Sequence, residues 1–302
     1  MAVPASTATA FGRQGGSASL PQTRPSSRRR GLVRVLILVG VLAFVLYPLV
    51  WMFGSSLKSP TEVVSNLSVI PEEVTWANYP DGWNYIDDIS FGRFFFNSTL
   101  IALATVVANA VSCLVAAYAF ARLRFRMRGM WFAVMIGTLL LPSHVLIVPQ
   151  YVMFNYFEWI DTPLPLVVPK MLATEAFFVF LMVQFMRGIP RELDDAAKID
   201  GCSPYGVFWH VILPLSRPAL VTTAIFSFIW TWNDFFTQLV YLPSPTSYTV
   251  PIGLRLFIDS SGQTSLGPMF AMSVLSLAPV FLFFLAFQRM LVQGINTSGI
   301  KG

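Results

Sequence analysis

The chain has 302 residues, of which 55% are hydrophobic and 12% charged, and its mean hydropathy is +0.64. Soluble domains carry about 25% charged residues, so this composition excludes an ordinary water-soluble globule and points to a membrane protein. The net charge of +5 does not describe a nucleic-acid surface, because the basic residues fall in loops between apolar runs, and two cysteines, Cys113 and Cys202, cannot build a disulfide framework.

Residues 1–31 are rich in Ala, Ser, Thr, Gly, Pro and Arg with no periodic apolar face, and read as a disordered tail ending in Arg28, Arg29 and Arg30. The apolar run over 32–53 is longer than the roughly 7–15 residues of an export-signal core, so it reads as an uncleaved first span. A hydrocarbon core about 30 Å thick needs roughly 20 apolar residues in a helix. Six segments meet that length: 32–53, 94–120, 130–150, 164–185, 219–241 and 268–288. The expected fold is therefore an all-α polytopic membrane protein with six transmembrane helices. Pro142 and Pro149 make the third span the one most prone to kink.

Around these spans the chain divides into a tail (1–31), a first span with a polar segment (32–93), a transmembrane core (94–288) and a C-terminal tail (289–302). Trp76, Tyr79, Trp83 and Tyr85 in the polar segment suit an interfacial aromatic belt. Residues 151–163 read as an aromatic interfacial loop, and 242–267 as an irregular loop rich in Ser, Thr, Pro and Gly.

Orientation follows from Lys and Arg. Arg13, Arg24, Arg28, Arg29, Arg30, Arg34, Arg122, Arg124, Arg126, Arg128, Arg187, Arg191, Lys198, Arg217, Arg289 and Lys301 all fall on one side. The opposite loops hold acids, among them Glu62, Glu72, Glu73, Glu158 and Asp161. The basic side is expected to be cytoplasmic, with both termini inside.

The stretch 187–218, RGIPRELDDAAKIDGCSPYGVFWHVILPLSRP, is a polar island between two apolar runs. Pro190 suits a first helical position. Leu193, Ala196, Ala197 and Ile199 give that helix an apolar side, and Gly201 supplies its left-handed stop. Ser203 and Pro204 then read as the N-cap and first turn of a second helix, which Pro214 ends. A short amphipathic hairpin of this kind needs something to dock against.

No G-x-x-x-x-G-K-[ST] loop is present, so the chain cannot hydrolyse ATP as a P-loop enzyme. His144 and His210 with two separated cysteines give no metal-ligand spacing, and no G-x-S-x-G occurs. Neither an enzyme activity nor a bound cofactor is expected. Polar groups inside spans are costly and therefore informative. Glu175, five residues after Lys170, and the Trp232-Asn233-Asp234 triplet stand out as candidate substrate-path residues. Glu175 and Asp234 fit three roles: interhelical hydrogen-bond partner, substrate contact or proton carrier. Trp230, Phe235 and Phe236 beside the triplet would suit stacking on sugar rings.

Asp195-Ala196-Ala197, three residues, Gly201, nine residues, then Val211-Ile212-Leu213-Pro214 resembles the EAA signature of ABC importer permeases, with Asp195 in place of glutamate and Val211 in place of isoleucine. The string IPRELDDAAKIDG resembles the sugar-importing branch. FNSTLIAL (96–103), AAYAFARLRF (116–125), WTWNDFF (230–236) and the ending FQRMLVQGINTSGIKG (287–302) extend the likeness over 94–302, the last resembling the tail of the smaller, six-span maltose-type permease.

The resemblance implies a multi-pass subunit of a bacterial cell membrane. It would pair with a second, non-identical permease, two ATPase subunits and an extracytoplasmic sugar-binding protein, with ATP and magnesium acting on the ATPases. Glu192, Asp195, Asp200 and Gly201 would shape a coupling helix, with Pro204, Leu213 and Pro214 completing the loop. Ala196 and Ala197 would be small to fit the ATPase groove. The tail, including Gly294, Gly299 and Lys301, would touch the ATPase pair. The rival expectation is a proton-coupled carrier of small polar solutes using Glu175 or Asp234.

Overall fold

A computed structural model describes residues 26–86, 88–258 and 265–298. Among these residues the regular structure is helical, and the one β-type pairing is an isolated bridge between Ile86 and Ile89. The chain divides into two units, residues 1–49 and residues 50–302. In the first, helix α1 (Ser26–Ser55) leaves every side chain from Leu32 to Leu49 exposed. A long helix apolar on all sides is what a bilayer solvates.

The second unit is built around α4 (Phe91–Arg122), an unbroken helix of 32 residues. It is preceded by two short helices, α2 (Pro60–Ser65) and α3 (Asn78–Trp83). Its buried stripe runs Ala102, Thr105, Ala108, Asn109, Cys113, Ala117 and Ala121. Small residues at helical spacing let neighbouring backbones approach closely, which is how membrane helices pack where no water drives them together. Asn109 Nδ2 donates to Ser227 Oγ at 2.8 Å across that seam.

The remaining elements surround this rod. They are α5 (Arg128–Thr138), α6 (Ser143–Tyr156), α7 (Leu164–Met171), α8 (Ala176–Gly188), α9 (Glu192–Ile199), α10 (Pro204–Val207), a π-helical turn (Phe208–Ile212), α11 (Leu213–Leu215), α12 (Arg217–Asn233), α13 (Phe236–Tyr241), α14 (Val250–Arg255) and α15 (Leu266–Ser298). Helices α7, α8 and α12 pack on α4, and α12 also packs on α15.

The all-α membrane fold is as expected, but the span count differs. Among the described residues, four helical stretches are long and apolar enough to cross a membrane: Gly31–Ser55, Phe91–Arg122, Leu164–Gly188 and Leu266–Met290. A fifth joins them if the pair Pro204–Leu215 and Arg217–Asn233, bent by 69°, counts as one. The expected third span over 130–150 is two shorter helices, α5 and α6, parted at residues 139–142. Pro142 has no N–H and disfavours a helical residue before it, which accounts for the gap.

The expected fourth span is interrupted at residues 172–175, where Ala173 has φ +56°. The fifth is interrupted at Asp234 and Phe235. The C-terminal segment 289–302, expected as a separate tail, continues α15 as far as Ser298.

Candidate functional site

The polar island folds as a helical hairpin tied to the end of α4. Helix α9 begins at Glu192, so Pro190 precedes it rather than opening it. Its first turn carries Glu192, Asp194 and Asp195 and its last turn Lys198, matching the helix dipole at both ends. The stop is a Schellman motif: Gly201 N donates to Lys198 O at 3.0 Å and Cys202 N to Ala197 O at 2.9 Å, with Gly201 at φ +88°. Ser203 Oγ then accepts from Gly206 N at 3.3 Å, the expected N-cap of α10. The π-helical turn follows because Pro214 would clash with the carbonyl of His210 in a regular helix, and one wider turn relieves it.

Arg122, the last residue of α4, organises this hairpin. Its Nη1 lies 3.4 Å from Asp194 Oδ2, and its Nη2 donates to Met186 O and Ile189 O, both at 2.8 Å. Tyr118, one turn earlier, donates its hydroxyl to Pro204 O at 2.7 Å. Ala197 is 9% exposed and packs in a core with Val207, Phe208, Ile212, Met186 and Ala121. The packing of this chain thus by itself accounts for a small residue at Ala197. Ala196 does lie on the open side.

The outward face of the hairpin is strongly apolar. Ile199 is 86% exposed, Tyr205 80% and Trp209 60%, and Leu193 is 43% exposed. Exposed apolar residues gathered on a small polar loop mark an interaction surface. Glu192, Asp195, Asp200, Gly201, Pro204 and Pro214 are exposed on the same loop, and Leu213 is half-buried. Asp195 accepts from Lys198 Nζ at 2.8 Å, and this hydrogen bond and the ammonium charge hold its pKa below the usual carboxylate value.

The candidate path residues collect at the span interruptions. Glu175 sits in the non-helical stretch before α8, not in mid-helix, and is ion-paired with Lys170. Ser112 Oγ of α4 donates to Lys170 O at 2.6 Å and Thr174 Oγ1 to Pro169 O at 2.8 Å, so side chains add to the turn hydrogen bonds that Ala173 N and Leu172 N make to the same carbonyls. Asp234 sits at the α12–α13 break, where its Oδ1 accepts from Thr237 N at 3.1 Å. It lies within electrostatic reach of both Lys170 and His144. Gln238 Nε2 closes that break on Thr231 O at 2.7 Å. Helix α13 packs against α6 and α7, which places the interruptions around one another.

Trp232 departs from its expected role. It is 3% exposed, stacked on Phe228 at 5.7 Å and packed near Phe95, so its faces are covered by this chain. Asn233 is exposed and donates to Ile229 O at 2.7 Å, and the half-exposed aromatics of the segment are Trp230 and Phe236. An open apolar groove of about 710 Å³ runs along α4 and ends at Ser112 and Met171, beside the Lys170–Glu175 break. Among the described residues no three His, Cys, Asp or Glu side chains gather as a metal site. Gly294 lies within α15, while Gly299 and Lys301 fall outside the described residues.

Sequence reasoning missed Arg122, counting it only as a topology charge. The signal was its spacing: it falls four residues after Tyr118 on the buried stripe, whereas Arg124 and Arg126 are exposed.

An all-α membrane core with interrupted spans and a clamped, apolar-faced loop defines a multi-pass permease-like subunit. Residues 108–297 match the model of the binding-protein-dependent transport system inner membrane component, and the chain belongs to that family. It is 33% identical to the trehalose transport system permease protein SugB of Mycobacterium tuberculosis, over 87% of this chain and 94% of that one. It is 31% identical to the arabinooligosaccharides transport system permease protein AraQ of Halalkalibacterium halodurans, over 86% and 93%. In fold it is similar to a chain of a bacterial ABC transporter involved in the import of the acidic polysaccharide alginate, with a TM-score of 0.75 at 22% identity, covering 89% of this chain and 99% of that one.

Proposed function

We propose that this chain is one permease of an ATP-driven saccharide importer, loaded by an extracytoplasmic binding protein and moved by separate ATPase subunits that seat on the 187–218 loop. The observation that carries the reading is the two-sidedness of that loop. One side is locked to α4 through Arg122, Tyr118 and Ala197, and the other offers Ile199, Tyr205 and Trp209 with nothing covering them. A loop built to transmit force needs both a rigid attachment and a free apolar face.

On this reading the basic loops and both termini are cytoplasmic, in a bacterial cell membrane. A second permease completes the path, and ATP with magnesium acts on the ATPases. Glu192, Asp195, Asp200 and Gly201 give the docking helix its shape, and the C-terminal segment with Gly294, Gly299 and Lys301 also approaches the ATPase pair. Glu175, Asn233 and Asp234 line the path, which Trp232 only supports. Relatives named for trehalose and arabinooligosaccharides favour a saccharide as cargo.

Glu175 is ion-paired with Lys170, which gives it a structural partner within this chain. The test is uptake by proteoliposomes containing the complete transporter. Labelled trehalose or arabino-oligosaccharide should enter only with ATP and binding protein. Uptake driven by a proton gradient without ATP would overturn the reading.

A further inference from the structure

The seam between α4 and α12 holds buried polar groups that this conformation leaves unused. Thr105 and Asn109 of α4, and Thr223 and Ser227 of α12, are all buried, and the members of each pair lie one turn apart on one face of their helix. One hydrogen bond joins the two pairs, from Asn109 Nδ2 to Ser227 Oγ at 2.8 Å. Among the described residues, Thr105 Oγ1, Thr223 Oγ1 and Asn109 Oδ1 have no hydrogen-bond partner. Nor has Thr223 turned back on its own helix: the adjacent Thr222 donates to Pro218 O at 2.9 Å, whereas Thr223 leaves the matching Ala219 O alone. Buried polar groups are nearly always bonded, so three orphans in one seam need a reason.

The two helices run antiparallel. Ala219 shares a core with Ala117 and Ala121, Ser227 meets Asn109, and the Trp232 ring lies 6.1 Å from that of Phe95, so α12 numbers rise as α4 numbers fall. Thr223 therefore lies one turn from the Asn109–Ser227 bond towards Arg122, and Thr105 one turn from it towards Phe91. An advance of α12 by one turn towards Phe91, about 5.4 Å, brings Thr223 opposite Asn109 and Ser227 opposite Thr105. Thr223 Oγ1 can then donate to Asn109 Oδ1 while Thr105 pairs with Ser227. A single displacement answers all three orphans and exchanges one pairing for two.

Helix α12 is free to make that movement at both ends. It is bent by 69° from Pro204–Leu215 at its Arg217 end, and broken at Asp234 and Phe235 at the other. Opening α11 (Leu213–Leu215) from helix to extended chain lengthens it by about 2 Å per residue, which over its three residues is about the travel required. Helix α4, unbroken and tied to the hairpin through Arg122, is the fixed rail.

We propose that α4 and α12 form a two-position latch, in which α12 slides one turn along α4 and re-pairs Asn109 with Thr223 and Thr105 with Ser227. One-turn ratchets between two packed registers are an established way for helices to switch. The inference rests on the reading of the chain as an ATP-driven permease and adds a step to its cycle.

The test uses the assembled transporter in proteoliposomes and nanodiscs. Thr105→Val and Thr223→Val remove hydroxyls that are unbonded here, so neither should lower the thermal denaturation midpoint without ATP. Each should cut ATP-driven uptake of labelled trehalose or arabino-oligosaccharide at least fivefold, and Thr223→Ser should keep it. Spin labels on Arg124→Cys and Asn233→Cys, with Cys113 and Cys202 replaced by alanine, should move apart by about 5 Å on trapping with ADP and vanadate. Wild-type uptake in both valine variants overturns the latch, and so does an unchanged label distance. A midpoint that falls together with uptake overturns it too, because the hydroxyls are then already bonded in this register, by water or otherwise. Uptake without ATP by the unaltered chain is a separate outcome: it removes the importer reading, and the latch with it, before any variant is compared.

Discussion

Arg122→Ala removes the group that fastens the hairpin to α4. The Arg122 and Asp194 side chains are 4% and 10% exposed, so the substitution strands a carboxylate in a dry site. Breaking one half of a buried pair costs about 3–5 kcal/mol. The carbonyls of Met186 and Ile189 also lose a charged donor, each worth roughly 1.5–3 kcal/mol. These costs overlap because one guanidinium makes all three contacts, so we expect about 3–5 kcal/mol in total, or roughly two to three and a half orders of magnitude in the ratio of docked to detached hairpin. Limited proteolysis of residues 187–216 in membranes reads that ratio directly, and uptake reads its consequence. Arg122→Lys should recover only part of the loss, because an ammonium cannot fork between two carbonyls and a carboxylate. Arg122→Met combined with Asp194→Leu should be markedly milder than Arg122→Ala, since no charge is left unpaired. Wild-type protease resistance and uptake in Arg122→Ala would refute the reasoning, and so would a double variant as damaged as the single one.

Four further outcomes are expected. Gly201→Ala meets open space but must hold φ +88°, so it should lower hairpin stability by about 1–2 kcal/mol, with Gly201→Asn milder; proteolysis of the loop measures both. Ala197→Leu should destabilise the loop by about 1–3 kcal/mol through overpacking, whereas Ala196→Leu should leave the fold intact and reduce ATPase co-purification, which separates the inward from the outward alanine. Lys170→Met and Glu175→Gln each leave the other partner unmatched, so each should lower the thermal denaturation midpoint more than Lys170→Met combined with Glu175→Leu. Burial pushes the Asp161 carboxyl up, but hydrogen bonds from Ser244 and Ser247 outweigh it and hold its pKa below the ordinary value of about 3.9. Its contribution is thus present above that pH and lost as pH falls through the lower folded value, so protease cleavage near 244–247 should rise in acid, and Asp161→Asn should abolish that dependence.

The sequence carried the fold class and the hairpin because both rest on local rules. Composition separates membrane from water, and Gly201, Ser203 and Pro204 act within a turn of themselves. The interruptions were harder to read. Pro142 announces the first, but the break at 172–175 has no such local marker: it turns on a left-handed Ala173, and one of the bonds that hold it, Ser112 Oγ to Lys170 O, comes from a residue 58 positions away. Trp232 was misassigned for a related reason: aromatics in a span have one spelling whether they face a path or pack on Phe228 and Phe95. Ala197 shows the same limit on the loop, since a small residue demanded by this chain's own core reads the same as one demanded by a partner.

The breaks and the hairpin acquire a common logic through α4. Helices α5 and α6, α7 and α8, and α12 and α13 are each parted where the sequence expected one span, so none carries a displacement rigidly from end to end. Helix α4 is continuous from Phe91 to Arg122. At its end it holds the hairpin through Arg122 and Tyr118. About 15 Å along the helix from Arg122, Ser112 holds the carbonyl of Lys170 at the Glu175 break. A push on Ile199, Tyr205 or Trp209 therefore has a stiff route to the interrupted backbone, through contacts that are hydrogen-bonded at both ends. On the proposed function, the broken helices lie where the chain would open and the unbroken α4 where it would transmit. A merely decorative loop would have no need of a buried arginine at its root.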